Sequence, residues 1–142
     1  GRTWAGSDWT WFAAVYNATG SGLRALLDDA GGTAFRRRGS AGSMESAAGG
    51  SAIGVAMGVG AHIICARHGA GVGMLQVDAT VSAGTLPAFA LGTSVIGARF
   101  TAGGDFWQDQ IAEIIAYKSA LSDEDKDLVQ AYLGSKYGVT VS

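Results

Sequence analysis

The stretch Asp105–Gly138, DFWQDQIAEIIAYKSALSDEDKDLVQAYLGSKYG, holds a strand, a short link and a capped helix in succession. Ile111-Ala112-Glu113-Ile114-Ile115-Ala116-Tyr117 is too apolar on both faces for a surface strand, so it is expected to run through a core. Ser122 reads as a helix N-cap, with Asp125 standing in for the usual Glu of a capping box. Asp123, Glu124 and Asp125 crowd the first turn, where the helix dipole favours negative charge, and Lys136 sits in the last. Gly138 is suited to the left-handed residue that ends a helix. Leu128, Val129, Tyr132, Leu133 and Tyr137 recur at three- and four-residue spacing and predict an apolar stripe that clamps the helix onto a sheet.

Working outward, the rest of the chain reads as short strands separated by turn signals. Trp9–Tyr16 (WTWFAAVY) is aromatic and β-branched and ends at a Gly/Ser-rich loop. Leu23–Leu27 and Thr33–Arg38 follow around the turn cluster Asp28-Asp29-Ala30-Gly31-Gly32. Met44–Ala48, Ile53–Val59 and His62–His68 come next, with a hairpin turn at Gly69-Ala70-Gly71. Val72–Val81 returns, Thr85–Leu91 is loosely extended around Pro87, and Val95–Phe100 is a further strand. Gly50, Gly54 and Gly58 have the spacing of a membrane-helix packing motif, but the run falls short of the ~20 apolar residues that a span needs. It alternates instead, with Ile53, Val55, Met57 and Val59 on one face, which is strand periodicity. This pattern predicts an all-β fold, an antiparallel β-sandwich with one C-terminal amphipathic helix packed outside or at an edge.

Composition narrows the function classes. At 142 residues the chain is expected to be one domain, 1–142, with room for a real core. With 48% hydrophobic and 15% charged residues it is not a disordered chain. A net charge of −2 gives no global reason to expect nucleic acid or an anionic membrane as partner. Cys65, the single cysteine, forms no internal disulfide and leaves the compartment open. A start at Gly1 without Met suggests a module of a longer protein.

The succession AHIICARHGAGVGMLQVDATV, FALGTSVIGARF and FWQDQIAEIIAYKSALSDEDKDLVQAYLGSKYG resembles the second half of a concanavalin A-like lectin/glucanase jelly roll of the laminin-G-like type. The matching positions are His62, Val77-Asp78, Ile96-Gly97, Ile111-Ala112-Glu113 through Tyr117, and Ala120-Leu121-Ser122. Ala79 and Gln110 stand where the pattern has glycine. The family's opening strand would have to fit within Gly1–Asp8, which suggests truncation. The resemblance implies a jelly-roll sandwich and a recognition module. It implies glycan or cell-surface polysaccharide as partner, other domains of a larger protein as neighbours, and an extracellular or virion-surface location such as a phage fibre or spike. An assembly domain, homo-oligomeric or packed on a neighbouring virion protein, is the alternative; the smooth Gly54/Ala56/Gly58 face and the N-terminal Trp residues suit it.

Candidate chemistry is sparse. The loop before Ile111 offers Asp105, Phe106, Trp107, Gln108 and Asp109, an aromatic face among acceptors and amides of the kind that recognises sugars, with Trp107 as the main contact. Arg36 and Arg38 share a strand face and could dock an anionic polymer, or simply be solvated. Asp28, Asp29 and Asp105 could hold Ca²⁺, although no calcium loop is present. His62, Cys65 and His68 do not suit zinc, because on a strand the two histidines lie roughly 20 Å apart at ~3.3 Å per residue and the cysteine points the other way. Glycosidases of the superfamily use a Glu-x-Asp-x-x-Glu strand; Glu45, Glu113 and Glu124 form no such pattern, so no catalytic residue is assigned. Asn17-Ala18-Thr19 is a formal glycosylation sequon.

Overall fold

The computed structural model describes residues 8–18, 23–29, 34–38, 42–48, 50–87, 94–99 and 105–142, with the backbone alone for residues 29 and 34–38. Trp4 lies outside the described residues. The described chain is an antiparallel β-sandwich with one C-terminal helix. Its strands are β1 (Trp9–Asn17), β2 (Arg24–Asp29), β3 (Ala34–Arg38), β4 (Ser43–Ala48), β5 (Ser51–Ala56), β6 (Gly60–Gly69), β7 (Val72–Val77), β8 (Thr80–Thr85), β9 (Ser94–Ile96) and β10 (Gln110–Tyr117), followed by α1 (Asp123–Tyr137). One sheet runs β10-β1-β6-β7-β8 and the other β5-β4-β3-β2-β9. The first described strand, β1, lies inside the first sheet; the chain then builds a meander in the second, returns for β6 to β8, and closes with β10 beside β1.

Alternation along the strands divides the molecule into two cores. Trp9, Trp11, Ala13 and Val15 on β1 and Ile64 and Ala66 on β6 face the second sheet, where they meet Leu26, Met44, Val55 and Trp107. Phe12, Ala14, Ile63, Cys65 and Met74 point the other way and are covered by Leu133 of α1. A strand that is buried on both faces loses its polar alternation. That is why WTWFAAVY and HIICARH read as almost continuously apolar. Leu86 packs where β7 has no side chain: a Cβ on Gly73 would lie 2.4 Å from Leu86 Cδ1.

The helix termini match the sequence expectation. Ser122 Oγ accepts from Asp125 N at 3.1 Å and donates to the Asp125 carboxylate at 2.8 Å. Gly138 takes φ 69° and its N–H bonds Gly134 O. The link before the helix is held by Thr10, whose hydroxyl donates to Ser119 O at 2.8 Å and accepts from Leu121 N at 2.9 Å.

Several expectations are corrected. Val72–Val81 is two strands, because Asp78 turns the chain at φ 54°. Its Oδ1 accepts from Ile63 N at 2.9 Å and its Oδ2 sits 2.7 Å from His62 Nδ1, so hydrogen bonds to β6 outweigh the strand propensity of the run. Strand β5 stops at Ala56, and Val59 is 62% exposed instead of continuing the buried face. Strand β9 is only Ser94–Ile96, ended by Gly97 at φ 76°. On α1, Leu128 and Tyr132 are exposed, whereas Lys126, Gln130, Leu133 and Gly134 are buried. The helix is rolled so that polar residues share the inward face. Lys126 Nζ donates to Gln76 Oε1 at 3.0 Å and Gln130 Oε1 at 3.1 Å, and also to Asp127, which makes its burial tolerable.

Candidate functional site

The loop expected to carry the site is a clamp. Asp105 O accepts from Ala25 N at 2.8 Å, and Trp107 N donates to Gly97 O at 2.8 Å, so the segment lies against β2 like an added strand. Asp109 Oδ2 is 2.7 Å from Arg24 Nη1, and Gln108 Oε1 accepts from Arg24 Nη2 at 3.0 Å. Asp105 pairs with Arg99 at 3.2 Å. Trp107 is 8% exposed and belongs to the inter-sheet core, because the loop's backbone bonds turn its indole inward. The aromatic face that this loop offers to solvent is that of Phe106, 53% exposed, and not that of Trp107.

The other candidates separate in space. Arg36 stands opposite Glu45 and Arg38 opposite Ser43 in the β3–β4 register; their side chains lie outside the described residues. Asp28 is buried in β2, the side chain of Asp29 lies outside the described residues, and Asp105 is held by Arg99. Among the described residues no three His, Cys, Asp or Glu side chains come together as metal ligands. His68 is buried and stacks on Trp9, with ring centroids 5.7 Å apart. Burial pushes the Cys65 thiol up to about 12, so it stays protonated and inert. Trp9 and Trp11 are core residues. Asn17 is buried and its amide donates to Gly58 O, which places the sequon's acceptor nitrogen out of reach. No described helix is long and apolar enough to cross a membrane.

A surface site that the sequence did not reveal lies where the helix ends. Tyr16 pairs with Gln110 of β10 on one side and Ala61 of β6 on the other. This row on the outer face of the first sheet flanks a groove of about 210 Å³, which Tyr137, His62 and Ala112 also line. Tyr16 is 44% exposed, an aromatic ring presented to solvent. Gln110 brings an amide that can both donate and accept. The available signal was Gln110 itself, standing where the resemblance has glycine, on the strand that neighbours Tyr16.

Beside the groove, Glu113 Oε2 accepts from Lys136 Nζ at 2.9 Å and from Tyr137 Oη at 3.0 Å. The Lys136 hydrogen bond, then that of Tyr137, holds the Glu113 carboxyl below its ordinary 4.5, and the same contact raises Lys136. Partial desolvation and the Glu113 carboxylate lift the Tyr137 phenol above its ordinary 10.0, so it remains a donor. A depressed carboxyl contributes stability that is full above its unfolded pKa and is lost as pH falls through the folded value. The thermal midpoint difference between the native chain and Glu113→Gln is therefore expected to be constant between the ordinary values of the two partners, 4.5 for the carboxyl and 10.5 for the ammonium, and to shrink in more acid solution. A difference that grows on acidification would contradict this tie.

No protein-family model and no curated protein matches the chain. Solved structures do. A Bacteroides ovatus protein with a provisional carbohydrate-binding assignment aligns at 13% identity and TM-score 0.72, over 92% of this chain and 41% of that one. A Trypanosoma rangeli sialidase, solved with sialic acid, aligns at 14% identity and TM-score 0.63, over 92% of this chain and 23% of the enzyme. A leech intramolecular trans-sialidase aligns at 13% identity and TM-score 0.65, over 83% and 22%. The fold is a lectin-like β-sandwich. The chain spans less than half the length of each of these proteins.

Proposed function

We propose that this domain is a non-catalytic carbohydrate-recognition module of the concanavalin A-like, laminin-G-like type, serving adhesion within a phage virion or bacterial surface protein. The observation that carries the proposal is the groove at Tyr16. An exposed aromatic ring stands over small apolar residues with an amide at the rim, the combination that holds a sugar by its apolar face and its hydroxyls. The fold shared with a provisionally carbohydrate-binding protein supports the same reading. Glycoside hydrolysis places two carboxylates across the scissile bond. Among the described residues the groove's lining has none, and the neighbouring Glu113 is occupied by Lys136 and Tyr137.

The test is a glycan array followed by calorimetric titration of the best ligand. Tyr16→Ala is expected to weaken binding about tenfold, or ~1.4 kcal/mol, as the stacking surface is removed, with the circular dichroism spectrum unchanged. Absence of binding across bacterial, plant and animal glycans would overturn the proposal.

A further inference from the structure

We propose that the groove at Tyr16 selects neutral sugars carrying an acetamido group and excludes acidic sugars; this rests on the carbohydrate-recognition reading above. At about 210 Å³ the groove is smaller than the ~300–1,000 Å³ typical of pockets for drug-sized ligands, which suits one ring and one substituent.

The lining of the groove is largely apolar. Its small residues are Ala14, Ala61 and Ala112, with Val139 from the segment after the helix. A sugar hydroxyl set against methyl groups gives up water without gaining a partner. A methyl group set there gains, roughly fourfold in affinity for each methyl-sized group buried. Gln110 supplies what the other half of an acetamide needs, since one carboxamide can donate to the acetamide carbonyl and accept from its N–H. A hexose bearing only hydroxyls offers neither the methyl nor the amide.

Among the described residues no Arg or Lys lines the groove. The nearby Lys136 ammonium is engaged by Glu113 Oε2 at 2.9 Å and by Tyr132 Oη at 3.1 Å. His62 has its Nδ1 on Asp78 Oδ2 and its Nε2 3.0 Å from Gly58 O. An incoming sugar carboxylate would find, among the described residues of the lining, no bidentate cation of the kind that recognises such groups.

The experiment titrates the whole chain with chitotriose and cellotriose, which differ in whether the ring's second carbon carries an acetamido group or a hydroxyl. N-acetylgalactosamine with galactose, and sialic acid, complete the set. The acetamido sugar is expected to bind roughly tenfold tighter than its hydroxyl counterpart in at least one pair, and sialic acid at least tenfold more weakly than that sugar. Gln110→Ala and Ala61→Leu, at exposed positions whose folding is checked by circular dichroism, are each expected to abolish the preference. Equal affinity within both pairs, with binding still lost in Tyr16→Ala, would overturn the acetamido selectivity and leave carbohydrate recognition standing. Tighter binding of sialic acid would overturn the exclusion of acids. No binding by any of these sugars or by an array would overturn both.

Discussion

Asp109→Ala is expected to destabilise the fold by about 3–5 kcal/mol, the cost of removing one partner from a buried ion pair. The Arg24 and Asp109 side chains are 9% and 4% exposed and their charged atoms lie 2.7 Å apart. Without the carboxylate, the guanidinium keeps Gln108 Oε1 at 3.0 Å but loses the ion pair that offsets its burial between β2 and the loop. The paired change Arg24→Leu with Asp109→Leu removes both charges and is expected to recover most of the loss, since apolar replacements of a buried pair are often neutral. Urea denaturation of the native chain and the three variants measures this. A loss under ~1 kcal/mol in Asp109→Ala would mean that the pair is solvated and that its carboxylate is available for a ligand after all. Gln110 follows directly in sequence, so the same clamp fixes one rim of the proposed sugar groove.

Leu133→Ala is expected to cost about 2–5 kcal/mol. Leu133 is fully buried against Phe12, Ala14, Ile63, Cys65 and Met74, and it is the residue of α1 that closes the outer core. Leu128→Ala and Tyr132→Ala are expected to stay within about 0.5 kcal/mol of the native chain, because those side chains are 65% and 52% exposed. Thermal or urea melts of the three variants report how the helix is rolled. An equal loss at Leu128 and Leu133 would place the apolar stripe, and not the Lys126–Gln130–Leu133 face, against the sheet.

What was legible in advance follows the range of the interactions. The Ser122 cap, the acidic first turn and the Gly138 terminus are set by hydrogen bonds and charges within four residues, and each stands in the structure as expected. The hairpin at Ala70-Gly71 was likewise readable, from a turn that needs positive φ. The end of the long strand at Asp78 was not, because its turn is held by Ile63 and His62 on another strand. The roll of α1 was hidden for a related reason: one of the oxygens that make the burial of Lys126 tolerable belongs to Gln76, fifty positions away.

The candidate site divides in the same way. Trp107 among Asp105, Gln108 and Asp109 has the composition of a sugar platform, but Arg24 and Gly97 turn the segment so that the indole enters the core. Tyr16, Ala61, Gln110 and Tyr137 carry no shared motif and meet only through the β10–β1–β6 register and the end of α1. The sequence by itself determined the class of fold, the positions of most elements and the helix caps, because periodicity and capping act over a few residues. Tertiary structure alone decided which aromatic is buried, which face of the helix is inside and where an open groove remains, because those depend on which distant strands become neighbours and in what register.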